Sequence, residues 1–172
     1  MSKIVFLDVD GTLIDYEAKL PASAAKAVDQ ARANGHKVYI CTGCSKAEIL
    51  QRNLCDLDGM IGGNGAYVED NNHVVMHQGL SKVDVKNIVD WCNERHIGFY
   101  LEANSGMYCN DYMLEQGPET MVKYAKGKGA SLENAKSSAQ HFIDGFIHLQ
   151  GDELYRDDVN KISFILRTYQ DH

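Results

Sequence analysis

Apolar and polar positions follow two rhythms along this chain. Lys3 to Leu7 (KIVFL) is a short continuous apolar run rich in β-branched and aromatic residues. It predicts a strand buried on both faces of a parallel sheet. Asp8, Asp10, Gly11 and Thr12 end it abruptly. Pro21 then marks a helix start, alanines and Val28 carry the helix to Ala33, and Asn34-Gly35 supplies the stop. Lys37 to Cys41 (KVYIC) predicts a second buried strand, which makes a strand, crossover helix, strand unit of parallel, right-handed type. A second helix over about Lys46 to Leu54 leads to Gly59-Met60-Ile61 and the glycine-rich Gly62-Gly63-Asn64-Gly65-Ala66.

From about Leu80 the rhythm changes, which places a domain boundary there and divides the chain into 1–80 and 81–172. Val83 to Arg95 carries apolar residues at 85, 88, 89 and 92, one helical face. Ile97 to Leu101 and Met107 to Asn110 predict paired strands around Asn104-Ser105-Gly106. Helical stretches near Pro118 to Tyr124 and Ser131 to Gln140 precede two apolar runs, Phe142 to Leu149 and Ile162 to Leu166. This half reads as an α+β layer. His73 and His77 fall in a loop-like stretch without metal-site company and read as surface residues.

Composition narrows the function classes. The 172 residues carry 17 basic and 24 acidic side chains, a net charge of −7. Such a balance argues against nucleic acid as a partner, because that grip rests on a surplus of Lys and Arg. The chain is 44% hydrophobic, enough for a real core, and no apolar run approaches the roughly 18 residues of a membrane span. Asp8 interrupts the only early apolar run, so no signal peptide is read and a cytoplasmic location is expected. The five cysteines (Cys41, Cys44, Cys55, Cys92 and Cys109) lack framework spacing and read as reduced thiols.

The chemistry concentrates past the first strand. Asp8 and Asp10 stand two residues apart where open parallel sheets bind ligands. Paired carboxylates repel unless a cation lies between them or one is protonated. Gly11 allows a sharp turn whose main-chain N–H groups can cradle an anion, and Thr42-Gly43 places a hydroxyl and an amide at the neighbouring strand end. Together these groups fit a metal-bound phosphoryl group.

The run FLDVDGTL at 6–13 resembles the first motif of the haloacid dehalogenase (HAD) superfamily, Thr42 in CTG matches its second, and GGNGAYV at 62–68 resembles the segment that Cof-type members carry before a large cap. ELYRDDVNKISFI at 153–165 is similar to Cof-type cap sequence. The resemblance implies an α/β, Rossmann-like core, here incomplete, with an inserted α+β cap. It implies a Mg²⁺-dependent phosphohydrolase acting on small phosphorylated metabolites. Asp8 would be the nucleophile and Asp10 the acid and base, its main-chain carbonyl joining Asp8 at the metal. Val9, Gly11, Thr42 and Gly43 would hold the phosphoryl oxygens, and Asn64 would shape the floor of the site.

Three departures open other readings. The family's later lysine and acidic pair are not found, so the chain is expected to stop within the cap. Two like charges about 4 Å apart at an effective dielectric near 20 repel by roughly 4 kcal/mol, so such a gap bears on activity. Asp152, Asp157 and Asp158 imitate the acidic pair at loose spacing. Cys44 stands where Cof-type members usually place an arginine, which removes a cation. One alternative is therefore an inactive fragment or remnant that binds phosphate, metal or a partner. Another is a thiol-disulfide protein using Cys41 and Cys44, which follow a strand and precede a helix. An incomplete sheet leaves an unpaired strand edge, which predicts self-association or instability.

Overall fold

The computed structural model describes residues 1–15 and 19–167. Its contacts divide into two units, Met1–Gly79 and Leu80 onward.

The first unit is a five-stranded sheet in the order β1-β2-β3-β4-β5, with β1 at Ile4–Leu7, β2 at Lys37–Cys41, β3 at Gly59–Gly62, β4 at Tyr67–Asp70 and β5 at His73–His77. β1, β2 and β3 run parallel, while β4 and β5 fold back antiparallel. The α/β class with a parallel sheet is the expected one. Helix α1 (Ala22–Ala33) crosses from β1 to β2, starting after Pro21 as its sequence dictates. Val28 of α1 joins Val38, Ile40, Val9, Leu13, Ile14, Ile49 and Met60 in the core, with Val5 and Leu7 packed against it.

Gly59 is required by packing: a Cβ there would lie 2.0 Å from the Glu69 carbonyl oxygen across the β3–β4 pair. Side chains reinforce the same strands from the polar side. Tyr39 donates to Asp70 at 2.6 Å, and Asp58 accepts from the Val38 N–H at 2.8 Å while pairing with Arg32 at 3.3 Å.

Three local expectations change. β1 is covered on one face only: Val5 and Leu7 pack against the core, while the alternate residues Ile4 and Phe6 are 61% and 56% exposed. The helix expected over 46–54 is only α2, Lys46–Leu50, because Arg52 closes a turn on Ile49 and the chain then leaves helical geometry. His73 and His77 bound a strand and not a loop; pairing with β4 forms it, although all five of its residues are exposed.

The second unit is a four-stranded sheet in the order β8-β7-β6-β9, formed by Phe146–His148, Met107–Cys109, Gly98–Ala103 and Val159–Ile165. β6 pairs antiparallel with β7 and with β9, as the Asn104-Ser105-Gly106 turn anticipates for the first pair. Helix α3 (Lys82–Glu94) lays Val85, Val89 and Cys92 against Phe99, Leu101 and Ala103 of β6. The alternate residue Tyr100 faces Phe142 of α5 (Leu132–Asp144) and Phe146, with ring centroids 5.7 and 4.9 Å away. Each fully buried aliphatic or aromatic side chain of this kind contributes roughly 1.5–3 kcal/mol.

Helix α4 spans Asp111–Gly127, starting seven residues before the Pro118 expected to open it. Asn110 moves the start. Its side-chain oxygen caps the Met113 N–H at 3.0 Å and also accepts the Phe99 N–H, while its amide donates to Asn93 and to the Ile97 carbonyl. One buried carboxamide thus fixes α3, β6 and α4 together.

Candidate active site

The site is built where three parallel strands end side by side. β1 and β2 are in register with Leu7 beside Ile40, so Asp8 follows next to Cys41. The Thr42 N–H donates to the Ile61 carbonyl at 2.9 Å, and the Gly63 N–H donates to the Cys44 carbonyl at 2.8 Å. The 8–12 loop, the 42–44 loop and the 63–65 turn therefore share one edge.

Val9 anchors the first loop. Its side chain is fully buried, and its carbonyl accepts N–H groups from Thr12, Leu13 and Ile14 at 3.0 to 3.3 Å. With Val9 turned inward, Asp8 and Asp10 are exposed on either side of it. Gly11 has φ +80°, a backbone state that favours glycine, and so permits the turn that its sequence position anticipates. The Thr12 hydroxyl donates to Asp8 Oδ2 at 3.0 Å.

The second loop is tighter. Thr42 is 8% exposed, and its Oγ1 accepts the Cys44 N–H at 3.1 Å, which leaves the hydroxyl proton for another acceptor. Ser45 caps α2 by accepting the Glu48 N–H. Asn64 is exposed in the left-handed region (φ 56°, ψ 33°), which asparagine tolerates, and its N–H reaches the Thr42 carbonyl at 3.4 Å. Asp8, Val9, Asp10, Gly11, Thr42, Gly43 and Asn64 thus lie on these three adjoining loops.

Arg52 is a site residue that the motif reading passed over. It lies 42 positions from Asp10, yet Nη1 donates to Asp10 Oδ1. Its Nη2 donates to Glu48 Oε1 at 2.6 Å and lies 3.5 Å from Cys44 Sγ. The one available signal was Glu48 and Arg52 four apart, a helix-face ion pair. Burial pulls the guanidinium down, but Cys44, Glu48 and Asp10 carry it above its ordinary value, so it stays charged.

Cys44 bears on the thiol reading. Burial, then the Glu48 carboxylate, push its thiol up to about 12. A redox cysteine requires the opposite shift, toward the thiolate. The geometry favours a hydrogen-bonded thiol, donating to Glu48 at 3.1 Å and lying 3.7 Å from Asp10 Oδ2.

Hard oxygen donors suit Mg²⁺, which takes one or two protein carboxylates and completes its shell with water and phosphate. Asp8, with Oδ2 on Thr12, and the Asp10 main chain fit that pattern. The Asp10 carboxylate already contacts Arg52 and Cys44. Among the described residues no group of three or more His, Cys, Asp or Glu side chains forms a metal cage. Asp158, one of the acidic look-alikes, is bound within the second unit by Arg156 at 2.7 Å and Ser105 at 2.5 Å, so local structure accounts for it.

Comparison with known proteins finds relatives in sequence and in fold. The chain is 30% identical over 114 residues to the Bacillus subtilis 5-amino-6-(5-phospho-D-ribitylamino)uracil phosphatase YwtE, an alignment covering 65% of this chain and 37% of that protein. Overall it spans 37% to 57% of the length of the curated relatives it matches. A solved hypothetical protein of Geobacillus kaustophilus HTA426 superposes with a TM-score of 0.73 at 22% identity, covering 99% of this chain and 60% of that one. A haloacid dehalogenase-like hydrolase from B. subtilis gives a TM-score of 0.67 at 22% identity, covering 94% and 59%. Residues 5–171 match the haloacid dehalogenase-like hydrolase family, and the chain belongs to that family.

Proposed function

We propose that this chain carries the nucleophile and the acid–base residue of a Mg²⁺-dependent phosphohydrolase that acts on small phosphorylated metabolites. One observation carries the reading: Asp8 and Asp10 flank the buried anchor Val9 on a loop in direct contact with the Thr42–Cys44 loop. A relative at 30% identity is named for a phosphorylated ribityl metabolite, which supports the substrate class.

In this mechanism Asp8 attacks phosphorus and the ester P–O bond breaks, leaving an aspartyl-phosphate. Asp10 gives a proton to the departing oxygen. It then takes a proton from water as that water attacks phosphorus, the bond to Asp8 breaks, and inorganic phosphate leaves. The Thr42 hydroxyl and the Gly43 amide, with the Val9 backbone, hold the phosphoryl oxygens, with Asn64 at the floor; the Gly11 N–H is taken by the Ile14 carbonyl at 3.0 Å, so Gly11 serves the turn and not the anion. Mg²⁺, held by Asp8 and the Asp10 carbonyl, would neutralise charge between carboxylate and phosphoryl.

Turnover of para-nitrophenyl phosphate with Mg²⁺ tests the reading. Asp8→Asn is expected to lower kcat by at least on the order of a thousandfold, since a nucleophile acts in every turnover. Equal rates in the two proteins would end it. A second reading, a chain that binds phosphate or metal without turning over, is favoured by the Asp10 carboxylate being engaged by Arg52 and Cys44. It predicts phosphate binding by calorimetry with no hydrolysis.

A further inference from the structure

We infer that Arg52 is the positioning residue of the acid–base carboxylate, supplying from the end of α2 the cation that position 44 lacks. This rests on the phosphohydrolase reading above.

Cysteine at 44 leaves the loop after Thr42 without a charged side chain of its own at that position. The structure fills the gap from elsewhere in the sequence. Arg52 sits two residues past the end of α2, its N–H bonded to the Ile49 carbonyl at 3.0 Å, and its side chain is only 20% exposed. Glu48 orients the guanidinium through Nη2, and Glu48 is itself buried at 8% exposure, on the turn that Ser45 caps. A buried carboxylate without a cation would be costly, so the Glu48–Arg52 pair is held in place by its own chemistry. The second nitrogen, Nη1, is thereby aimed at Asp10.

A guanidinium is suited to this task because it is planar and can bind two carboxylates from one rigid fork. Lysine at 52 would serve one or the other. Cys44 fits the same arrangement: its small thiol leaves room for the fork, contacts it at 3.5 Å, and lies 3.7 Å from the other Asp10 oxygen. Asp10 is otherwise 57% exposed. Arg52 and Cys44 hold a side chain that would rotate freely in solvent.

A group that positions the proton donor affects most strongly the substrates that need the proton. Alkyl phosphates release a basic alkoxide, whereas para-nitrophenol leaves with little help. The test compares kcat and KM of the 172-residue chain, Arg52→Lys and Arg52→Met on glycerol 2-phosphate and para-nitrophenyl phosphate. Misplacement on the order of an ångström costs about 100-fold, so Arg52→Met is expected to lose that much kcat on the alkyl ester. It should lose about tenfold or less on the aryl ester, with KM changed less than about threefold, and Arg52→Lys should fall between. Equal losses on both esters, or a change in KM alone, would overturn the proposal.

A second arm needs neither metal nor turnover. Melting temperatures of Asp10→Asn, Arg52→Met and the double variant form a cycle. The double variant is expected to shift by clearly less than the sum of the single shifts; additive shifts overturn the pairing. If the chain and Asp8→Asn are equally inactive on both esters, the phosphohydrolase reading falls, while this cycle still decides the pairing of Arg52 with Asp10.

Discussion

Strands β1 and β6 make an instructive pair. β1, IVFL, is apolar at every position, and none of its residues is fully buried. β6, GFYLEA, includes a tyrosine and a glutamate, and all but Tyr100 are buried. Place in the sheet decides the difference. β6 has a strand on each side and helices on both faces, whereas among the described residues β1 has only β2 beside it and one covered face. Even Glu102 is held inside β6, through Lys161 at 2.9 Å and Ser163 at 2.7 Å. The first unit instead ties its strands with polar clamps, Tyr39 to Asp70 and Lys46 with Tyr67 to Glu69, and leaves apolar side chains on both edge strands. Val75 of β5, at 62% exposed, matches Ile4 of β1 in this respect.

The contrast can be broken at its strong end first. Phe99→Ala empties a fully buried site on β6 and is expected to cost about 3–5 kcal/mol in denaturant unfolding of the second unit. A loss below 1 kcal/mol would mean that β6 is not the centre it appears from burial.

The polar clamp comes next. Burial pushes the Glu69 carboxyl up, but hydrogen bonds from Lys46 and Tyr67 outweigh it and hold the group below the usual carboxylate range. A depressed acid stabilises the fold above its unfolded value, and that contribution is lost as the pH falls through the folded value. Melting temperature is thus expected to drop below about pH 4.5 in the native chain. Glu69→Gln should cost about 1–3 kcal/mol at neutral pH and flatten that acid limb.

The smallest effect belongs to β1. Phe6→Lys is expected to change stability by less than about 1 kcal/mol, because the ring is more than half exposed and packs only against Tyr39, at 5.6 Å between ring centres, among the described aromatic contacts. The same variant tests the expectation that the open edge draws a second copy. Sedimentation velocity should show larger species for the native chain than for Phe6→Lys, and identical profiles would end that expectation.

Much of the fold was legible because local signals and tertiary context agreed. KIVFL, KVYIC and the Pro21-to-Gly35 helix needed only periodicity and punctuation. β5 was not legible, since HVVMH owes its strand to pairing with β4 and buries nothing. The start of α4 depended on Asn110, whose cap is set by contacts with β6 and α3 that the local sequence does not reveal. At the site, Asp8, Asp10, Thr42 and Gly43 were visible as motif residues. Arg52 was not, because its partner Asp10 is 42 residues away and only the folded sheet brings α2 beside the first loop.

Val9 has a consequence for how a ligand is received. A side chain sunk fully in the core, between two solvent-facing carboxylates, works as a keel: the loop can tilt only if the core moves with it. Ordering a backbone residue costs about 1–2 kcal/mol, and here folding has already met that cost for the loop. The two carboxylates that flank Val9 therefore keep their spacing without any ligand to set it.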